Sequence, residues 1–233
     1  MRNLLRPFED LLCLFFPHLC LACEHNAPPY GEHICTSCRL TLPESNFHTR
    51  KDNPFTEKFW GRIDLHAGTA IYLFTKESRV QHLIHNLKYK RKQEVGTILG
   101  RKLGTTLRQA PLFADVDVMV PVPLHVRKLR IRGYNQSEVF AEGISETFGR
   151  PCIGDGMRRV VHSASQTKQS REARLHNVGE VFEVNKPKSL EGKHILLVDD
   201  VLTTGATLET CASQLLALPG TRVSMATIAI AMH

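Results

Sequence analysis

The chain has 233 residues, 42% hydrophobic and 23% charged, which excludes collagen-like, coiled-coil, disordered and transporter classes and leaves an ordinary folded protein. Thirty Lys and Arg against 23 Asp and Glu give a formal charge of +7, a moderate excess that suits anionic partners such as phosphates or nucleic acid without requiring them. Four of the seven cysteines crowd between positions 20 and 38, so a medium domain with a small module is expected rather than one large domain.

Residues 1–16 predict a short amphipathic helix with Leu4, Leu5, Phe8, Leu11, Leu12 and Phe15 on one face and Pro17 ending it. A membrane-docking helix is the alternative. The unbroken apolar run from Leu11 to Phe16 is too short for a secretory core or a bilayer span, and no other stretch is long enough to cross a membrane. The expectation is a cytoplasmic protein with no transmembrane span and with reduced thiols.

Residues 17–43 carry Cys20-x2-Cys23-x11-Cys35-x2-Cys38 among prolines and glycine, with no periodic apolar run. Each CxxC turn points two sulfurs at one ion, so Cys20, Cys23, Cys35 and Cys38 predict a structural Zn²⁺ ribbon; paired disulfides, a redox dithiol and an iron–sulfur cluster are the alternatives. A segment this short has no core of its own, and the metal is expected to fold it. Residues 44–64 are polar and mixed and read as a linker, and residues 65–233 form the larger domain.

Within that domain, 67–75 reads as a strand, and Val80, Leu83, Ile84 and Leu87 recur at helical spacing. That helix runs into Lys88, Tyr89, Lys90, Arg91 and Lys92, a basic cluster with one aromatic. Such a cluster is either a solvated helix end or a phosphate-backbone contact with a stacking ring. A second helix over 93–109 follows. Short apolar strands over 116–122, 195–198 and 223–231 then alternate with helices over 135–148 and 206–218, the pattern of a parallel sheet covered on both faces, so the fold class is α/β.

The sharpest chemistry lies in Ile195–Thr207. An apolar strand ends at Asp199 and Asp200, and Thr203, Thr204, Gly205, Ala206 and Thr207 open a helix. Ligands of parallel sheets bind at the strands' carboxyl ends. Backbone amides, hydroxyls and a helix N-terminus together hold a phosphate dianion, and paired carboxylates accept from vicinal hydroxyls, so a phosphorylated sugar fits the loop. The plain alternative is a strand–turn–helix with Asp200 and Thr203 as caps. Arg127, Lys128, Arg130 and Arg132 form a cationic run beyond Val120-Pro121-Val122-Pro123, suited to a diphosphate or otherwise a solvated basic helix. Tyr134 sits beside that run as a second candidate stacking ring, and Cys152 and Cys211 read as packed thiols.

Val198-Asp199-Asp200-x-x-Thr203-Thr204-Gly205-x-Thr207 resembles the PRPP-binding motif of type I phosphoribosyltransferases. Together with the four-cysteine ribbon and the stretch Arg132-Gly133-Tyr134-Asn135-Gln136-Ser137, it is similar to the ComF family of competence proteins. The resemblance implies that residues 203–207 hold the 5′-phosphate and that Asp199 and Asp200 hold the ribose hydroxyls. It places pyrophosphate, with Mg²⁺, by the loop after Pro123, and makes Arg158–Asn177 a hood loop with Gln166, Arg171 and Asn177 as its polar positions; the residues alone read equally as a flexible surface hairpin. Tyr134, His162 and His176 are candidates for a general base by proximity. Three roles follow as expectations: an accessory of DNA uptake binding single-stranded DNA and a PRPP-like sugar phosphate; an active phosphoribosyltransferase on a nitrogen acceptor; or a zinc-ribbon scaffold docking a helicase-like partner.

Overall fold

The computed structural model describes residues 18–160 and 181–232. The expected amphipathic helix over 1–16 lies outside the described residues, as do His162, Gln166, Arg171, His176 and Asn177 of the expected hood loop.

A four-stranded parallel sheet organises the chain, built from β1 (Gly68–Phe74), β2 (Val118–Pro121), β3 (His194–Leu202) and β4 (Arg222–Ala231) in the order β1-β4-β3-β2. A separate antiparallel hairpin pairs Met157–Val160 with Val181–Val184. The central strand β3 alternates strictly: Ile195 and Leu197 enter one apolar layer, Leu196 and Val198 the other. Both faces are therefore covered, as its unbroken apolar sequence requires. The strand does not stop at Val198 as the sequence suggests; it stays paired with β4 through Asp199 to Leu202, so the two carboxylates are held by strand backbone rather than by a loose loop.

The helices run in chain order from the short α1 (Thr36–Thr41) and α2 (Pro54–Glu57) to α3 (Arg79–Tyr89), α4 (Gln93–Leu107), α5 (Val126–Arg132) and α6 (Gln136–Phe148). Of these, α3, α4 and α6 cover one face of the sheet. Ser78 caps α3, its hydroxyl accepting from Gln81 N at 3.3 Å. The α4 and α6 backbones touch, because Gly100 and Gly143 leave no side chain between them: a Cβ on Gly100 would lie 2.8 Å from the backbone of Gly143.

The ribbon joins this same apolar layer through Leu21, Ile34 and Leu42, which are buried alongside Leu83 and Leu87 of α3. The buried side chain of Asn86 donates to Leu21 O at 2.8 Å across the junction. Although the ribbon carries no periodic apolar run, it contains the short helix α1, which carries Cys38.

The opposite face is covered by the short α7 (Pro187–Leu190), by α8 (Ala206–Leu216) and by the hairpin. Residues 44–64, expected to link, also pack there: Phe47, Phe55 and Phe59 are buried against the sheet, and Asn53 caps α2 through Phe55 N at 2.9 Å. No helix among the described residues is long and apolar enough to cross a membrane.

Candidate sugar-phosphate site and cysteine centre

At the carboxyl end of β3, Asp199 and Asp200 sit beside the start of α6. Asn135, the N-cap of that helix, donates from Nδ2 to Val122 O at 3.0 Å and accepts from Ser137 N at 3.2 Å. This fixes the Ser137 hydroxyl, which donates to Asp199 Oδ1 at 2.8 Å; the same oxygen accepts from Asp200 N at 2.8 Å. Burial, reinforced by the Asp200 charge, nevertheless pushes Asp199 up to about 7 against these donors. Asp200 has a different partner: Lys88 Nζ, from the end of α3, lies 2.9 Å from Oδ2, with both side chains mostly buried.

Beyond the carboxylates, Gly205 takes φ +87° and forms the N-cap of α8 with no side-chain cap hydrogen bond. The first-turn amides of a helix lack intrahelical partners. Thr203, Thr204, Ala206 and Thr207 are exposed around them, and Ala206 N donates to the Thr204 hydroxyl at 3.5 Å, so the turn presents its exposed residues and its remaining first-turn amides where an anion can meet them. Phe59 backs the loop, since a Cβ on Gly205 would meet its ring at 3.0 Å, and Arg62 Nη1 lies 2.7 Å from Glu209 in the first turn of α8. The supposed linker thus forms the rear wall of the loop.

The cationic run is the helix α5, ended by Gly133 at φ +84°, and none of its residues is buried. Arg127, Lys128 and Arg130 have no carboxylate partner among the described residues. Arg132 instead donates to Gln136 Oε1 at 2.7 Å and lies over the Tyr89 ring, 5.3 Å from its centroid. The His85 ring also packs against Tyr89, 5.1 Å from centroid to centroid. Tyr89 remains 65% exposed.

The two basic clusters therefore meet, but their members differ. Lys90 is paired with Glu24 of the ribbon at 2.7 Å and Lys92 with Glu94 at 3.7 Å, whereas Lys88 belongs to the carboxylate site and not to an outer surface. Arg91 stands at the helix end with φ +56°. Tyr134 is half-buried and its hydroxyl donates to Leu87 O, so it ties α3 to the start of α6 rather than offering a free stacking face. Burial pushes its phenol up, which removes it further from general-base duty. Cys152 and Cys211 are packed thiols, both pushed up by burial. Arg159, on the first hairpin strand, lies over Phe182 at 5.3 Å.

Sequence reasoning names Ser137 only within the resemblance stretch and Lys88 only within a basic run, and so misses the bond of the first to Asp199 and the ion pair of the second with Asp200. A hydroxyl two residues after a capping asparagine, within Asn135-Gln136-Ser137, is the signal that finds the first. The second is a tertiary contact between positions 88 and 200.

In the ribbon, the ligand atoms of Cys20, Cys23, Cys35 and Cys38 all lie within 4.8 Å of one another. The Cys20 sulfur accepts from Ala22 N at 3.4 Å and Cys35 N at 3.3 Å, and Asn26 Nδ2 reaches the Cys35 sulfur at 3.8 Å. Backbone donors of this kind orient and stabilise thiolates, and the four-sulfur set fits a metal such as zinc. His25 is turned to the Cys23 carbonyl, and neither it nor His18 or His33 enters the cluster.

The phosphoribosyl transferase domain family matches residues 135–232. Fold and site together define a type I phosphoribosyltransferase-like domain with an N-terminal four-cysteine ribbon. Competence protein F of Haemophilus influenzae is 30% identical over 212 residues, 83% of this chain and 89% of that protein. The chain belongs to the ComF family.

Competence protein ComFC of Bacillus subtilis is 26% identical over 85% of this chain and 78% of that protein. DNA utilization protein YhgH of Escherichia coli is 33% identical over 137 residues, 58% of this chain, and the match spans only 60% of that relative's length. Among solved structures, glutamine phosphoribosylpyrophosphate amidotransferase from B. subtilis is similar over 62% of this chain and 30% of that one, with 20% identity and a TM-score of 0.43.

Proposed function

We propose that this protein is a cytoplasmic accessory of DNA uptake that binds a PRPP-like sugar phosphate at Asp199–Thr207 and single-stranded DNA on the adjoining surface of Tyr89, Arg91, Arg132 and α5. The observation that carries the reading is the juxtaposition of a hydroxyl-accepting carboxylate pair with an uncapped, threonine-rich helix start on one strand end. Relatives named for competence and DNA utilization support the cellular role. The exposed Tyr89 ring beside Arg132, next to the α5 cations that lack carboxylate partners among the described residues, supports stacking combined with phosphate contact. Zinc fills the four-cysteine centre in this reading, and Mg²⁺ enters with PRPP.

An active phosphoribosyltransferase is the second reading, favoured by the positions of Arg127, Lys128 and Arg130 after the end of β2, where a departing pyrophosphate would need positive charge. Calorimetry with PRPP and Mg²⁺ tests the shared premise: the expected result is saturable binding, lost in Asp199→Asn/Asp200→Asn. Absence of binding by the folded wild type overturns the sugar-phosphate assignment. Pyrophosphate release with an added amine or base then separates the enzyme from the accessory. For the DNA assignment, oligo(dT) affinity that is absent, or insensitive to salt, overturns it.

A further inference from the structure

The geometry points to a second metal site, a two-histidine, one-carboxylate centre for a borderline divalent cation such as Zn²⁺ or Ni²⁺, formed by His66, Asp115 and His194 at the opposite end of the sheet. The ligand atoms of the three side chains all lie within 4.8 Å of one another. They come from three separate segments: the approach to β1, the approach to β2, and the first residue of β3. Asp199 lies five steps along the strand from His194, roughly 17 Å at strand rise, so this cluster is distinct from the sugar-phosphate site.

The backbone around the cluster is fixed. His66 N donates to Val223 O at 2.9 Å, Asp117 N donates to His194 O at 2.9 Å, and His194 N donates to Asp117 Oδ2 at 2.8 Å. The His66 and His194 rings meet edge-on, 4.7 Å between centroids at 79°. Asp115 is exposed, leaving an approach from solvent.

The hydrogen bonds already set up the switch to a metal. A carboxylate only accepts, so the 2.9 Å contact with Asp115 Oδ1 assigns the ring proton of His194 to Nδ1, and Nε2 accepts from the Ser224 hydroxyl at 2.8 Å. On metal binding at Nδ1 that proton moves to Nε2, and the Ser224 hydroxyl turns from donor to acceptor; no proton is gained or lost. A hydroxyl serves in either sense, so Ser224 becomes the outer partner that holds a ligating imidazole in one tautomer. The order Ser224–His194–Asp115 also has the connectivity of a hydrolytic triad, but Ser224 is fully buried and no substrate reaches it. Two imidazoles and one carboxylate select borderline cations over Mg²⁺ or Ca²⁺. Arg222 Nη2, 2.5 Å from Asp115 Oδ2, orients the carboxylate and competes with the incoming charge.

The test is calorimetric titration of Ni²⁺ and Zn²⁺ into full-length protein whose ribbon is already zinc-loaded. The expected result is one further equivalent bound, weakened about tenfold or more in His66→Ala and in Asp115→Asn, with the ribbon zinc retained in both. Arg222→Gln should tighten binding, about threefold or more, since it removes a competing cation, with the stoichiometry, the thermal midpoint and the ribbon zinc unchanged so that thiols exposed by unfolding do not supply the gain. His33→Ala, on the exposed ribbon, should change nothing. No further equivalent in wild type, or binding undiminished in both ligand variants, overturns the site.

Discussion

Lys88 and Asp200 form an ion pair at 2.9 Å across the mouth of the candidate sugar site, joining the end of α3 to the carboxyl end of β3. The Lys88 charge also lowers Asp199, the neighbour that burial and Asp200 push up to about 7. One lysine thus reaches both carboxylates proposed to hold the sugar, Asp200 as its ion-pair partner and Asp199 through its charge. A ribose hydroxyl arriving at Asp200 would displace Nζ toward the charged phosphates. Lys88→Met is expected to weaken PRPP–Mg²⁺ binding by about ten- to a hundredfold, the range of a charge-assisted hydrogen bond, and to weaken ribose 5-phosphate less. Calorimetry with both ligands checks it; equal losses would place Lys88 away from the pyrophosphate.

The protonation of the carboxylate pair gives a second expectation. Followed by ¹³C-carboxyl NMR, the pair should show a step near pH 7 that moves down in Asp200→Asn and up in Ser137→Ala and Lys88→Met, as the removed groups dictate. Because the folded value lies above the ordinary 3.8, the contribution of Asp199 to stability is fully present below pH 3.8 and is lost as pH rises through about 7. Asp199→Asn should therefore gain stability relative to wild type as pH rises from about 4 to about 8 and hold that gain above it. Denaturant midpoints measured at these pH values decide the sign.

Much of this site is legible before the fold, because its parts are contiguous. Four apolar residues, two carboxylates and a threonine-rich turn lie within Ile195–Thr207, and a strand buried on both faces leaves a continuous apolar signature. What escapes depends on distance along the chain. Lys88 reads as one member of a basic run until the fold sets it on Asp200, while Lys90 turns to Glu24. Phe55 and Phe59 stand four apart, at helical spacing, but too few other apolar residues in 44–64 share it, so the segment reads as a linker although Phe59 backs the loop at Gly205. The extension of β3 through Asp199 is hidden because polar residues end an apolar run without ending a strand.

The contact of α4 with α6 gives a third expectation. A Cβ at Gly143 would stand 2.6 Å from Thr97 O, an atom of backbone that cannot rotate away. Gly143→Ala should therefore destabilise by about 1–3 kcal/mol despite alanine's better helix propensity. Because α6 carries Ser137, the same variant should also weaken sugar-phosphate binding. A thermal midpoint unchanged from wild type would show that the two helices separate at little cost.

Within the basic patch, the ion pairs predict unequal effects on DNA binding. Lys90 and Lys92 are already matched by Glu24 and Glu94, while Arg127 and Arg130 have no carboxylate partner among the described residues. Alanine at Arg127 or Arg130 should reduce the slope of log affinity against log salt by about 0.7 for each DNA phosphate left without its cation, and alanine at Lys92 should do so less. Tyr89→Ala should cost about 1–3 kcal/mol of oligo(dT) affinity with the slope unchanged, because stacking releases no counterion. Uniform losses along the whole run would mean a diffuse electrostatic surface with no stacking ring.

Metal removal from the ribbon tests how far that module depends on the rest. Leu21, Ile34 and Leu42 belong to the same apolar layer as α3, and Asn86 bonds the Leu21 carbonyl, so loosening the cysteine centre uncovers part of the main core. If the metal largely folds the ribbon, chelation should lower the thermal midpoint of the whole chain in one cooperative transition, and readdition of Zn²⁺ should restore it. Cys38→Ser should reproduce the loss, since Cys38 is fully buried on α1 and no nearby histidine enters the cluster to replace it. Two separated transitions after chelation would instead mean that the sheet and its helices keep their packing without the ribbon, and that the shared layer contributes little to its stability.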